Sequence, residues 1–294
     1  MDFTFSEHPH RRYNALTGEW ILVSPHRTKR PWQGKQERLT PVARPAHDPH
    51  RYLCPGNLRA GGVSNPEYEH TYVFDNDFAA LLPDAPLMQH SDDLFQYQSV
   101  QGTCRVICFS PRHDLTLPEM SSEAVQHVIR IWMSEAATLG RQYRWVQIFE
   151  NKGEIMGCSN PHPHGQIWAG NFLPDLIRKE DHTQQRYLEE FGSVLLCDYI
   201  SKEVKARKRL VVENESWAVV VPFWAFWPFE TLLIPKRHIP RITDLGDLEL
   251  SGLAALLKSL LVKYAKLFPI SFPYTMGWHG ADRKSKRLNS SHAK

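Results

Sequence analysis

An internal repeat is the feature that most restricts how this sequence can fold. Three segments of the first half recur in the second half: 110–120 with 234–245, 121–140 with 248–268, and 145–153 with 273–280. Each copy combines strand-like segments with one helix. A repeat of roughly 120 residues therefore predicts an α+β fold built from two similar lobes.

Hydrophobic spacing locates the elements within each copy. Val125, Val128 and Ile129 recur at the spacing of a helix, which Gly140 can end. The same pattern over 248–268 predicts the matching helix of the second copy. The clearest strand segments, rich in β-branched and aromatic residues, are 19–25, 104–111 and 145–151.

Changes in composition divide the chain into three segments. We predict a first lobe at 1–175, a partial second lobe at 176–281 and a tail at 282–294. The tail lacks a periodic apolar pattern and begins abruptly, so we expect it to be unstructured. A truncated or mis-joined coding sequence explains such a tail, and a natural flexible tail is the alternative.

Charge, apolar segments and cysteines exclude several classes of protein. The net charge is +3, but the tail carries five Lys or Arg and one Asp, so the rest of the chain is near −1 and we expect no nucleic-acid partner. The amino terminus has no apolar run of signal-peptide length, and the most apolar stretch, 217–229, is too short to span a bilayer. We therefore expect no membrane partner. Five irregularly spaced cysteines favour reduced thiols in the cytoplasm.

The stretch GCSNPHPHGQIW (157–168) places polar side chains at alternate positions. Successive side chains of a strand point to opposite faces, so His162, His164 and Gln166 are expected to share one face. Two imidazoles and an amide in a row suit a reactive site better than a core. The alternative is a structural role for the histidines, in which they cap a turn or bind water.

This row of side chains favours chemistry on phosphate. A neutral imidazole can attack phosphorus, form a covalent phosphoramidate and leave again, which splits one difficult transfer into two easier steps. Metal ligation is the other use of such histidines. Glycines in the preceding loop let backbone N–H groups approach phosphate oxygens. Gln166 is neutral, so it can stabilise a phosphoryl oxygen without competing for the proton.

The same stretch resembles the active-site segment of the galactose-1-phosphate uridylyltransferase family, a branch of the histidine-triad superfamily. The similarity continues through 8–34, 74–81, 105–120, 222–238 and 271–280. It implies two histidine-triad-like lobes, each an antiparallel sheet with packed helices, the second one incomplete. It also implies a cytoplasmic homodimer with a shared active site in galactose metabolism. The implied reaction exchanges UMP between UDP-glucose and galactose 1-phosphate through a covalent uridylyl-histidine.

The resemblance assigns roles to individual residues. His164 matches the nucleophile, and Gln166 matches the residue that contacts the transferred phosphoryl group. Arg27 and Arg30 match basic residues that meet phosphate from the partner subunit, although a solvated turn is the alternative. The remaining positions that match substrate contacts are Arg59, Ala60, Asn76, Asp77, Asn151, Cys158 and Ser159.

A first metal site is implied with one ligand missing. Members of the family bind zinc through a Cys-x-x-Cys pair and two histidines. Here Arg51 replaces the first cysteine, which leaves Cys54, His113 and His162 as ligands. A buried structural thiol is the alternative role for Cys54.

A second metal site is implied at a glutamate, a histidine after Gly-Trp, and a later His-x-His pair. Glu180 and His279 match the first two ligands. The later pair is absent from this sequence, so we expect weak binding of iron or zinc, or none.

Two other functions remain open from the sequence. One is a phosphorylase or hydrolase of dinucleoside polyphosphates from the same superfamily, although simpler members carry a further histidine where this chain has Gln166. The other is an inactive nucleotide-binding fragment, because missing strands of the second lobe would leave a sheet edge unpaired and prone to aggregate.

Overall fold

A computed structural model describes residues 2–31, 44–268 and 270–281, together with the backbone of 292–293. The strands are β1 (His10–Asn14), β2 (Glu19–Val23), β3 (Tyr72–Asp75), β4 (Gln89–His90), β5 (Tyr97–Gln98), β6 (Gly102–Cys108), β7 (Trp145–Lys152), β8 (His164–Gly170), β9 (Leu210–Glu213), β10 (Trp217–Val220), β11 (Leu232–Pro235), β12 (Tyr274–His279) and β13 (His292–Ala293). The helices are α1 (Ser122–Leu139), α2 (Asp175–Phe191), α3 (Leu195–Ala206) and α4 (Asp247–Leu267).

One nine-stranded sheet forms the framework, in the order β3-β6-β8-β7-β12-β13-β11-β10-β9. All of its neighbouring strands pair antiparallel. The strands of the first half of the chain lie together on one side, and those of the second half lie on the other. The predicted α+β class is confirmed. The two half-sheets join edge to edge through the pairing of β7 with β12.

Helices α1 and α4 cover one face of the sheet. The apolar stripe of α1 packs with Leu253 and Leu257 of α4, and with Ile148 and Ile167 of the central strands, in one continuous core. Burial of each such side chain contributes about 1.5–3 kcal/mol. Ser121 caps α1, since its Oγ accepts a hydrogen bond from the Ala124 N–H at 3.1 Å. The predicted helix at 121–140 thus agrees with the structure.

The opposite face is covered at β3 and β6, where Leu53 packs with Phe74 and Val106, and again over the second half of the sheet. A second apolar cluster lies there, in which Leu196 and Ile200 of α3 pack on Leu232 and Ile234 of β11, with Leu16 from the turn between β1 and β2. The β10 strand is buried on both faces, so its sequence is a continuous apolar run and shows no alternation. Over the first half, this face of the sheet carries the candidate site.

The carboxyl-terminal segment lies largely outside the described residues. The unstructured tail that we predict spans 282–294, and of these residues 282–291 and 294 are not described. The backbone of 292–293 forms β13, in which His292 pairs with His279 and Ala293 with Trp278. Of the helices in the described ranges, none is both long and apolar enough to cross a membrane. The predicted lobes at 1–175 and 176–281 stay a prediction.

Candidate active site

A row of facing residues crosses the open face of the sheet. Phe74 pairs with Val106, Val106 with Gln166, Gln166 with Phe149, and Phe149 with Gly277. Paired residues of neighbouring strands project to the same face, about 4.8 Å apart. The row therefore connects five strands and both halves of the chain, with Gln166 at its centre.

The central strand, β8, presents alternate side chains to this face. His164 and Gln166 are partly exposed, whereas Ile167 is fully buried in the core beneath them. Gly165 lies where the neighbours leave no room, because a Cβ there would sit 2.8 Å from Phe109 Cζ. The alternation predicted from the sequence is therefore observed from His164 onward.

His162 precedes the first residue of this strand, so the predicted strand begins two residues later than expected. The strand begins at His164, after Pro163, which has no N–H for a strand ladder. The Pro163 carbonyl instead accepts a hydrogen bond from the Phe109 N–H at 2.9 Å. The His162 side chain is 1% exposed and turns toward Cys54, with 3.5 Å between the Cys54 Sγ and the His162 Nδ1.

The His164 ring has one defined tautomer. Its Nδ1 lies 2.8 Å from the carbonyl oxygen of His162, so Nδ1 carries the proton and donates it. The lone pair is then on Nε2. Burial lowers the pKa of His164, and the hydrogen bond to the His162 carbonyl opposes that shift only in part. The ring is therefore a neutral imidazole with one nucleophilic nitrogen.

A wide groove runs along the open face beside this strand. Its walls include Gln166 and Trp168 of β8, Phe149 and Asn151 of β7, and Thr275 of β12. The whole cavity has a volume near 1890 Å³, but it continues to Leu257 and Leu261 of α4, so only part of that volume lies on the open face. The site is open and can accept an extended ligand.

Arg59 and Asp77 meet at the β3 side of the open face. The Arg59 NH1 lies 3.7 Å from the Asp77 Oδ1, and the guanidinium carbon lies 3.9 Å from the centre of the Phe74 ring. The Nε and NH1 of Arg59 are buried and have no hydrogen-bond partner among the described residues. Buried donors without partners are costly, so they are suited to a ligand oxygen. Ala60 follows in the same loop, and Asn76 is fixed by a bond from the Phe78 N–H to its Oδ1 at 2.9 Å.

The loop between β7 and β8 carries the next group of predicted residues. Gly153 and Gly157 adopt φ values of 94° and 80°, which favour glycine and turn the loop sharply. The Cys158 thiol donates to the Asn160 carbonyl at 3.1 Å, and burial raises its pKa. Ser159 follows directly. Asn151, at the end of β7, accepts a 2.9 Å hydrogen bond on its Oδ1 from the Thr275 hydroxyl.

Arg27 and Arg30 lie apart from these groups. Arg27 is part of a short 3-10 helix, Pro25–Lys29, and Arg30 follows it. Both side chains are exposed, and neither lines the groove. Within the described part of one chain, the structure does not bring them to His164.

Cys54, His113 and His162 form a buried cluster whose ligand atoms all lie within 4.8 Å of one another. The Cys54 Sγ lies 3.6 Å from the His113 Nδ1 and 3.5 Å from the His162 Nδ1. Zn–S and Zn–N bonds of about 2.3 and 2.05 Å at a tetrahedral angle place S and N about 3.6 Å apart. Both S···N distances therefore match those of a tetrahedral zinc site.

Hydrogen bonds to neighbouring groups orient the side chains of this cluster. The His162 Nε2 donates to the Ser110 carbonyl at 2.9 Å, which leaves the Nδ1 lone pair directed at Cys54. The Tyr68 hydroxyl lies 3.0 Å from the same nitrogen and donates to the Leu53 carbonyl. Burial lowers the pKa of His162 to about 3, so both cluster histidines are neutral and able to bind a metal. No pattern in the sequence points to Tyr68.

Arg51 does not enter the cluster. Its Nε lies 3.5 Å from the Asp48 Oδ2, and its side chain is 45% exposed. The fourth corner of the tetrahedron is therefore not supplied by residue 51, as the sequence predicts.

Glu180 and His279 meet in the second half of the sheet. The Glu180 Oε2 lies 2.8 Å from the His279 Nδ1, and Glu180 is 2% exposed. Glu180 lies on α2 and His279 on β12, and the structure brings this predicted pair into contact. Among the described residues, they do not form a metal-sized cluster with a third histidine, cysteine or carboxylate.

Comparison with known proteins gives the family. The N-terminal domain of galactose-1-phosphate uridyl transferase matches residues 1–174, and the C-terminal domain of the same family matches residues 180–293. The chain belongs to the galactose-1-phosphate uridylyltransferase family. The C-terminal match runs past residue 282, so it does not support the prediction that residues from about 282 lie outside the family.

Several members of the family are highly similar. The galactose-1-phosphate uridylyltransferase of Haemophilus influenzae is 54% identical over 95% of this chain and 80% of its own length. The enzyme of Rattus norvegicus is 54% identical over 95% and 74%, and that of Saccharomyces cerevisiae is 47% identical over 95% and 81%. The chain thus spans about three quarters to four fifths of these relatives.

Solved structures agree with the fold. A uridylyltransferase structure superposes with a TM-score of 0.74 at 27% identity, over 96% of this chain and 84% of the other. An ADP-glucose phosphorylase from Arabidopsis thaliana has the same TM-score of 0.74 at 23% identity, over 97% and 88%. The latter similarity shows a shared fold.

Proposed function

We propose that this protein is a UDP-glucose:galactose-1-phosphate uridylyltransferase that transfers UMP through a covalent uridylyl-histidine. The observation that carries the proposal is the state of His164, a neutral ring that donates from Nδ1 and has its lone pair on Nε2. It lies on the open face of β8, two residues before Gln166 on the groove wall. Membership of a family whose curated relatives carry this enzyme name supports the substrate pair.

The first half-reaction uses His164 as nucleophile. Its Nε2 forms a bond to the α-phosphorus of UDP-glucose, and the bond from that phosphorus to the bridging oxygen breaks, which releases glucose 1-phosphate. The ring becomes positively charged, and its Nδ1–H bond to the His162 carbonyl stabilises that charge. Gln166 donates to a phosphoryl oxygen. A phosphate oxygen of galactose 1-phosphate then attacks, the P–N bond breaks, and neutral His164 returns with release of UDP-galactose.

The surrounding residues divide into two subsites. Arg59, Ala60, Asn76 and Asp77 bind the uridine part, where the Arg59 N–H groups that lack a hydrogen-bond partner can meet carbonyl or hydroxyl oxygens. The phosphate subsite consists of Gln166, Asn151, Cys158 and Ser159. Arg27 and Arg30 serve the partner subunit of a homodimer, for which their exposed position is suited.

The metal at Cys54, His113 and His162 is zinc, in keeping with the sulfur and imidazole donors and their tetrahedral spacing. When bound, it ties the loop of Cys54 to the segments that end β6 and precede β8. Glu180 and His279 provide two ligands of a weaker iron or zinc site. We place the enzyme in the cytoplasm, in galactose metabolism, as a homodimer with a shared active site.

Labelling tests the function directly. The protein is incubated with UDP-glucose carrying a radioactive α-phosphorus, and we expect an acid-labile, base-stable label on the chain. His164→Ala should lose the label, and His127→Ala, at an exposed histidine of α1, should keep it. A labelled His164→Ala protein contradicts the mechanism.

Product analysis separates the alternatives. Formation of UDP-galactose from UDP-glucose and galactose 1-phosphate supports the proposal. Turnover of diadenosine tetraphosphate in its place supports a dinucleoside polyphosphate enzyme, and nucleotide binding without any label supports an inactive fragment.

A further inference from the structure

Thr275 of β12 contacts the side chain of Asn151 across the seam between the two halves of the sheet. Their Cα atoms are register partners, and the Thr275 Oγ1 donates to the Asn151 Oδ1 at 2.9 Å. We infer that Thr275 is a positioning residue for Asn151, which it holds with the amide NH₂ directed at the substrate phosphates. The inference rests on the proposed function, in which Asn151 contacts substrate.

The orientation of an asparagine amide decides what it offers a phosphate. The oxygen of the amide only accepts hydrogen bonds, whereas its nitrogen carries two donors. Phosphate oxygens also accept, so a productive amide must present its nitrogen to them. The Thr275 hydroxyl occupies the Asn151 oxygen, which leaves the two N–H donors for the groove that both residues line.

Thr275 is itself held in place by its neighbours. The Tyr274 hydroxyl donates to the Glu150 Oε2 at 2.9 Å, and the Lys152 Nζ donates to the Phe272 carbonyl at 2.8 Å. These bonds fix β12 against β7 on either side of the Thr275–Asn151 pair. Threonine is branched at Cβ, so its side-chain torsion is also restricted. The second half of the chain thereby orients a residue of the first half.

The test compares two substitutions of Thr275, one that removes the hydroxyl and one that keeps it. Thr275→Val keeps the shape and removes the donor, and Thr275→Ser keeps the donor and removes the methyl. The measured quantity is glucose 1-phosphate release in the first turnover with UDP-glucose, resolved into its maximal rate and half-saturating concentration. Because the pair is exposed to solvent, we expect Thr275→Val to raise that concentration about two- to tenfold, with Thr275→Ser near the parent.

Two further variants, Asn151→Ala and the double variant Asn151→Ala/Thr275→Val, complete a double-mutant cycle. If Thr275 acts through Asn151, the double variant is no worse than Asn151→Ala alone. Equal behaviour of Thr275→Val and Thr275→Ser overturns the inference, as does a Thr275→Val effect that persists in full without Asn151. A different result tests the proposed function: it is contradicted if the His164→Ala protein still acquires the covalent label.

Melting temperatures of all variants exclude a general loss of structure. Thr275→Val is expected to melt within a few degrees of the parent, since the side chain is exposed. If it unfolds, Thr275→Ala takes its place, and calorimetric binding of UDP gives a second readout. Unchanged UDP affinity in folded Thr275→Ala, with weakened affinity in Asn151→Ala, overturns the inference.

Discussion

The Nε2 of His162 donates to the carbonyl oxygen of Ser110 at 2.9 Å, and the Nδ1 of the same ring faces the Cys54 sulfur at 3.5 Å. One backbone carbonyl thus decides which nitrogen of the ring can bind a metal. His162 also supplies the carbonyl that accepts the Nδ1–H of His164. The metal cluster and the nucleophile are therefore connected through a single residue.

Removal of a cluster ligand should release the metal. We expect Cys54→Ser to lose most of the zinc that the parent protein carries, because oxygen is a poorer ligand than a thiolate in this donor set. Zinc content by elemental analysis checks the loss. Chelation should lower the melting temperature of the parent and leave that of Cys54→Ser unchanged.

Cys197→Ser is the matched control, because Cys197 is partly buried on α3 and is not in the cluster. It should keep its zinc and its response to chelation. Equal zinc content in the Cys54 and Cys197 variants would contradict a metal site at Cys54.

Local patterns in the sequence predicted the elements that carry the site. The apolar spacing of α1 and the alternation of β8 depend on neighbours within a few residues, and both agree with the structure. The pairs Cys54–His113 and Glu180–His279 were predicted through family resemblance, and the structure brings each pair together.

Contacts between distant segments could not be predicted in the same way. The pairing of β7 with β12 joins residues more than a hundred positions apart, and no local periodicity encodes it. For the same reason, no sequence pattern predicts that Tyr68 lies beside His162, or Thr275 beside Asn151. His162 was placed in the strand because alternation alone does not reveal that β8 starts after Pro163.

Gly165 should be intolerant of even one methyl group. A Cβ at this position would lie 2.8 Å from the Phe109 Cζ and 3.0 Å from the Phe149 carbonyl oxygen. We expect Gly165→Ala to lower the free energy of unfolding by about 1–3 kcal/mol, as overpacking does elsewhere. Urea denaturation measures the change.

Gly61→Ala is its control, because a Cβ there meets no atom within 4 Å and the backbone is not left-handed. It should be neutral or slightly stabilising. A Gly165→Ala protein as stable as Gly61→Ala would show that the strand has room for a side chain.

The buried pair of Glu180 and His279 should stabilise the second half of the sheet. Glu180→Ala removes a 2.8 Å hydrogen bond at a residue that is 2% exposed, and it leaves the His279 ring without this partner. We expect a loss of about 2 kcal/mol in the free energy of unfolding, measured by urea denaturation with chelator present. Glu190→Ala, at an exposed position of the same helix, should change little. Equal losses in the two variants would argue against the pair.

Glu150 should make stability depend on pH. The residue is 5% exposed, and burial raises its pKa from 4.5 to about 8, while the Tyr274 hydroxyl and the Lys152 charge oppose the shift. Between these two values the folded protein keeps the proton and the unfolded chain releases it. Stability therefore falls as the pH rises from about 4.5 to 8, by a few kcal/mol, since one pKa unit is worth about 1.4 kcal/mol.

Glu150→Gln removes this titration and keeps an amide oxygen for Tyr274 to donate to. The difference in free energy of unfolding between variant and parent isolates Glu150, because the other groups titrate in both proteins. We expect the difference to be small near pH 5 and to favour the variant by a few kcal/mol near pH 8.5. Glu154→Gln, at an exposed glutamate of the next loop, should follow the parent at every pH. Parallel pH profiles for parent and Glu150→Gln would mean that Glu150 is ionised in the folded protein, with water or a cation compensating its charge.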